Sequence, residues 1–219
     1  MVKGNKVLVK WFIILLFCFI ISTFLHEMGH GISSYAVGGG ISTGFNRVGW
    51  AYKKPQDKDF RKDYENFQNP WDMGPNVTLM LSMGFTIALV KIKDRDDNKN
   101  STMIIGAFAL CNSLMRLIPM IHSYSGLLLQ GKFYMEDEID TGLLWYKLNG
   151  FEIMKYLPSL ISILVSLLCL YFTVKALKRK LPVLFSRHFI FGTITVIAMV
   201  TSFVIENKLD NVIRINWVI

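Results

Sequence analysis

Five long runs of the chain are dominated by apolar residues: Val7–Val37, Met73–Val90, Met103–Ile121, Ile153–Val174 and His188–Ile205. Each approaches or reaches the ~20 residues that a helix needs to cross a hydrocarbon core. The pattern predicts an all-α, polytopic integral membrane protein of about five transmembrane helices. The first run is long for one crossing. Its 31 residues would make a helix of about 46 Å, which must tilt or project beyond the hydrocarbon. The third is interrupted by Asn112 and Arg116 and is expected to end at Pro119. Only the connections 39–72 and 122–152 leave room for further structure, and neither can hold a separate soluble domain.

Composition agrees with a bilayer. Hydrophobic residues make up 52% of the 219 positions and charged residues only 18%, against about 25% charged in soluble domains. The net charge of +8 comes from Lys and Arg in the connections, where they mark membrane interfaces. They are not interleaved with aromatics as in a nucleic-acid groove, so no nucleic-acid partner is expected. Cys18, Cys111 and Cys169 all lie inside apolar runs, lack metal-ligand spacing and read as small buried hydrophobes. Lys3, Lys6 and Lys10 before "WFIILLFCFI" imitate a signal peptide. No small-residue cleavage site follows, and the run is expected to remain as the first span.

If all five runs cross, connections 39–72 and 122–152 share one side with the C-terminal end of the first span. Connections 91–102 and 175–187 lie on the other side with the N-terminus. Twelve Lys and Arg fall on the latter side and ten on the former, a balance that leaves the orientation open.

Residues 26–30, "HEMGH", fit the pattern H-E-x-x-H. On a helix, positions four apart share a face, so His26 and His30 offer two imidazoles to one cation. Glu27 is turned about 100° away, close enough to take a proton from water without being a ligand. An ionisable residue at membrane depth costs ~2.5–3.5 kcal/mol on insertion scales, which argues against an idle Glu27. A catalytic zinc takes three protein ligands. Asp94, Asp96, Asp97 and His188 fall on the wrong side of the membrane for the third. Asp137 is the first candidate, followed by Asp140 and His122. Glu136, Glu138 and the carboxylates of 39–72 are further options.

"FLHEMGHGISSYAVGGG" (24–40) resembles the first zinc-binding helix of the site-2 protease family of intramembrane metalloproteases. "DMGPNVTLML" (72–81) is similar to the family's second core helix, with Gly74 and Pro75 matching and Asn76 standing earlier than usual. "CNSLMRLIP" (111–119) looks like the Asn and Pro that precede the third ligand, an Asp commonly followed by Gly. Here the Asp-Gly pair is missing, and about 17 residues separate Pro119 from "EDEID" (136–140). The resemblance spans roughly residues 10–142. It implies zinc held a short way below one membrane face, usually the cytoplasmic one, and hydrolysis of peptide bonds in membrane-embedded helices. That orientation puts 39–72 inside, against the Lys and Arg balance.

Asn112 and Arg116 share a face of the third span. Asn112 is expected either to bond a substrate backbone or developing oxyanion or to bond a neighbouring helix. Arg116 reads as structural, pairing with the acidic cluster or reaching the interface. "GGISTGFNRVGWAYKK" (39–54) suggests a short interfacial β-hairpin whose edge could hold an unwound substrate. An ordinary interfacial loop anchored by Trp50 and Tyr52 is the alternative. Segment 55–70 reads as a polar linker or gate.

The expected organisation is therefore a metalloprotease core over 1–142, with three spans and a ligand-bearing loop, and two accessory spans over 143–219. His26, His30 and Asp137 would hold zinc, with Glu27 and Asn112 as catalytic residues. The expected partners are the lipid bilayer and a membrane-protein substrate. No sensing module fits the connections, so control would come from a regulatory membrane protein or from trimming of the substrate. The competing expectation is an inactive membrane scaffold of the same architecture that binds a partner helix.

Overall fold

The computed structural model describes residues 2–36, 40–51, 73–93, 99–134, 136–186 and 188–217. In chain order the elements begin with helix α1 (Val2–Ala36), strands β1 (Ile41–Thr43) and β2 (Val48–Trp50), and helices α2 (Gly74–Lys91), α3 (Lys99–Gln130) and α4 (Asp137–Asn149). A 3-10 turn at Glu152–Lys155 follows, then α5 (Leu157–Lys180), the one-turn α6 (Pro182–Phe185), α7 (His188–Leu209) and strand β3 (Ile215–Trp217).

Four helical stretches, Lys6–Ala36, Lys99–Gln130, Leu157–Lys180 and His188–Leu209, are long and apolar enough to cross a membrane. The expected second span, α2, does not join them. It has 18 residues, opens on Gly-Pro-Asn and closes on Lys91, so its polar ends dilute a short apolar centre. It still runs the depth of the bundle. Gly74 at its start lies against the His30 ring. Just past its end, the Ile92 carbonyl accepts a 2.5 Å hydrogen bond from Lys180 at the close of α5.

The pattern of burial is that of a protein built for lipid. Ile13, Phe17, Ile21, Leu164, Leu167, Val196 and Val200 are exposed, while Ser82, Ser113 and Thr173 are fully buried. The buried hydroxyls join helices: Ser82 to Ser113 at 2.6 Å across α2 and α3, and Thr86 to Thr173 at 3.0 Å across α2 and α5. Such bonds take the place of a hydrophobic drive that lipid cannot supply. Trp11, Leu15, Phe19, Leu89, Leu110 and Leu177 fill the apolar centre between them, and Cys18, Cys111 and Cys169 are free and buried.

α3 does not end at Pro119 as expected. It continues to Gln130 with Pro119 inside it, because a proline forfeits one backbone bond and the flanking turns carry on around it. The overshoot explains the long gap in the sequence. From Arg116 to Gln130 the helix rises about 21 Å. The chain turns at Gly131, whose φ is 71°, and the six steps back to Asp137 span about 20 Å when extended. Asp137 therefore returns to the level of Arg116. The chain is pinned on the way, since Ser123 donates to the Tyr134 carbonyl at 2.5 Å and the Tyr134 ring packs on Gly126.

The hairpin after α1 forms, with Ile41 opposite Trp50 and Thr43 opposite Val48. A third strand joins it that the sequence pattern does not announce. β3 pairs with the other side of β1, Ile41 opposite Trp217 and Thr43 opposite Ile215, giving the order β2-β1-β3. The fully buried Asp210 accepts the Phe45 amide at 2.5 Å and the Asn46 amide at 3.3 Å, which fixes the hairpin turn. Arg214 donates to the Ser42 and Arg47 carbonyls at 2.7 and 2.9 Å. Segment 55–70, Tyr52 and the side chain of Trp50 lie outside the described residues.

Candidate metal centre

His26 and His30 stand one turn apart on α1, roughly 9–15 Å before its end at Ala36. Both rings turn inward, with 5% and 4% exposure, and their Nε2 atoms are 3.1 Å apart. The Oδ2 atom of Asp137, in the first turn of α4, lies 3.1 Å from His26 Nε2 and 3.5 Å from His30 Nε2. The three can hold a metal ion. A four-coordinate divalent ion with bonds of ~2.0–2.1 Å places its ligand atoms about 3.3 Å apart, so the triangle has the dimensions of one tetrahedral face.

The tautomer of His26 is set by its neighbour. Thr78 on α2 donates its single hydroxyl proton to the Gly74 carbonyl at 3.0 Å. Its oxygen therefore accepts the Nδ1–H of His26 at 3.1 Å, and the Nε2 lone pair is left facing the centre. Asp137 is equally prepared. Burial would raise its carboxyl, but the His30 and His26 rings, when protonated, hold it well below the usual carboxylate range, and the Arg116 guanidinium at 3.6 Å favours the same charged form. A carboxylate that is already ionised needs to shed no proton to bind a cation.

Close helix approach completes the cradle. A Cβ on Gly74 would collide with the His30 ring, and one on Gly29 would sit 2.8 Å from the Met73 carbonyl oxygen. A Cβ on Gly31 would strike the Trp217 indole, whose Nε1–H bonds Thr43 at 2.8 Å. The glycines of "HEMGHG" thus seat α2 on one side of the motif and β3 on the other.

Arg116 is buried and lines the same cavity. Its Nη1 lies 3.6 Å from Asp137 Oδ2 and 3.3 Å from Glu138 Oε1. Glu138 also accepts from Ser162 on α5 at 2.7 Å, so the acidic start of α4 is docked between α3 and α5. Glu27, 7% exposed, lines this cavity of ≈ 590 Å³ with His26, His30 and Asp137.

The remaining candidates separate cleanly. Asp140 and Glu136 line the cavity but stand outside the three-ligand group. His122 is exposed, stacks on Tyr134 at 4.4 Å and faces Glu136 at 3.5 Å. His188 sits at the opposite end of α7 from the cavity. Asn112, expected to be catalytic or interhelical, is placed away from the cavity. It is fully buried, is not among the cavity-lining residues, and donates to Ser22 on α1 and to the Phe108 carbonyl at 3.0 and 2.8 Å. It takes the interhelical alternative. Arg116, one turn further on, is the charged α3 side chain that reaches the cavity.

Several lining residues carry no sequence motif. Met199, Ser202, Phe203 and Glu206, all on α7, form one wall. The one signal is the acid in "SFVIENKL" (202–209). A fifth span ending at Ile205 leaves Glu206 outside, whereas the helix runs to Leu209 and buries it. Comparison with protein-family models, with curated proteins and with solved structures gives no match for this chain.

Proposed function

We propose that this protein is a multi-pass zinc metalloendopeptidase of the cell membrane that hydrolyses a peptide bond in or near a membrane-embedded helix of a substrate protein. One observation carries the reading: two imidazole nitrogens and a carboxylate oxygen converge in a cavity that also holds the buried Glu27. The resemblance of residues 24–40 to site-2 proteases supports it. His26, His30 and Asp137 would hold the zinc, which when bound supplies Lewis acidity toward water and the scissile carbonyl.

The chain's own groups do the rest. The Glu27 carboxylate takes a proton from the attacking water and later returns it to the leaving amine nitrogen, so that one carboxylate serves both steps. An apolar wall of Phe19, Leu114, Met115 and Phe203 excludes bulk water and suits a lipophilic segment. Val48 of β2 lines the cavity, and β2 pairs only with β1 among the described residues. An unwound substrate segment adding to that edge would hold its peptide bond extended beside Glu27.

The test is Glu27→Gln in the purified full chain. Cleavage of membrane substrates should vanish while metal content and expression stay near those of the unaltered protein. Full activity in that variant ends the proposal. Stoichiometric metal with no turnover by the unaltered chain favours the scaffold instead.

A further inference from the structure

α7, which carries no readable motif, brings a second acid to the wall of the cavity. Glu206 is 3% exposed, stands beside the hydroxyls of Ser202 and Thr23, and has an Oε1 atom with no hydrogen-bond partner among the described residues. Both hydroxyls spend their one proton on their own helix, Thr23 donating to the Phe19 carbonyl at 3.0 Å and Ser202 to the Met199 carbonyl at 2.8 Å. Neither brings a charge. A carboxyl left partly unsatisfied at membrane depth is costly, and a ligand group that supplies the missing donor relieves the cost.

Charge decides what kind of donor fits. The cavity wall carries five carboxylates, Glu27, Glu136, Asp137, Asp140 and Glu206, against the single guanidinium of Arg116. Arg116 is already paired with Asp137 and Glu138. With all five carboxyls ionised and a divalent cation among the ligands, the wall stays two charges negative. A cavity of that sign concentrates cations and selects basic segments.

Position decides where along the substrate the group falls. Thr23 is three residues before His26 on α1, so their Cβ atoms are about 5–6 Å apart. Glu206, beside Thr23, therefore stands roughly two to three residues of extended chain from the ligand triangle. That is the distance of a side-chain subsite, too far for a group acting on the scissile bond.

We infer that Glu206, with Thr23 and Ser202, forms a subsite for a Lys or Arg side chain carried by an otherwise apolar substrate segment, two to three residues from the bond that is cut. The assignment of a scissile bond rests on the proteolytic reading. The subsite itself does not.

The probe is a 20-residue apolar transmembrane peptide bearing a photo-crosslinker and a single Lys, moved along its length, with norleucine and Glu as replacements. Capture is measured on the full chain carrying Glu27→Gln, in phosphatidylcholine vesicles, with hydrolysis followed in parallel on the unaltered chain. One register of Lys should be captured roughly tenfold or more better than norleucine, Arg should substitute for it, and Glu should abolish capture. The preference should disappear when Glu206→Gln is added. Changing the peptide leaves the protein intact, so misfolding of a variant cannot imitate the result. Equal capture of Lys and norleucine, or a preference that survives Glu206→Gln, overturns the inference. A Glu206-dependent preference without hydrolysis keeps the subsite and removes the protease.

Discussion

The imidazole of His30 rests directly on the α carbon of Gly74, with no room for a methyl group between them. Replacement by alanine must therefore shift either the ring or the start of α2. Gly74→Ala should lower metal affinity at least tenfold and destabilise the fold by about 1–3 kcal/mol. Competitive chelation and thermal unfolding in detergent measure the two effects. Gly29→Ala should act in the same direction through the Met73 carbonyl.

Alanine at His26, His30 or Asp137 should each abolish stoichiometric metal, because each removes one of three converging ligands. His122→Ala and Asp140→Asn should retain it, since neither side chain belongs to the triangle. Metal analysis of the six purified proteins, wild type included, separates these outcomes. Loss of metal in His122→Ala with retention in Asp137→Ala would reassign the centre.

Thr78→Val preserves the shape of the side chain and removes the acceptor of the His26 Nδ1–H. Metal affinity should fall by about 10–100-fold, the usual cost of losing an outer partner. Thr78→Ser should restore it. An unchanged affinity in the valine variant would show that α1 alone orients the ring.

Glu138→Ala leaves the buried Arg116 with Asp137 as its remaining close carboxylate. Breaking a buried pair from one side costs about 3–5 kcal/mol, read as a lowered unfolding temperature. Arg116 should also draw Asp137 away from the histidines, so metal affinity should drop with it. Affinity held at the original value would mean that α4 is docked by other contacts.

The sequence reads well wherever the chemistry is local. His26 and His30 are four residues apart, so their shared face, with Glu27 turned about 100° from it, follows from helical spacing. Asp137 is harder, because its place depends on how far α3 overshoots Pro119 before the chain folds back. Its composition and side of the membrane favour it as a ligand, but its distance from the histidines does not follow from them. Glu206 is hidden by a helix boundary, since a span ending one residue earlier leaves it outside. β3 has only three residues and exists through its pairing with β1, so no local pattern marks it. Asn112 and Arg116 are hard to tell apart on α3 because one turn of the helix separates an interhelical position from a cavity position.

The sheet beside the cavity joins residues 41–43 to residues 215–217, and three of the four long apolar helices lie on the way. During translation β1 leaves the ribosome early and waits for its second neighbour until the last of those helices has been delivered to the bilayer. A chain interrupted before residue 215 would carry the histidine pair without its closing strand. The three-stranded sheet beside the histidine pair is therefore completed only when the helical bundle has been made in full.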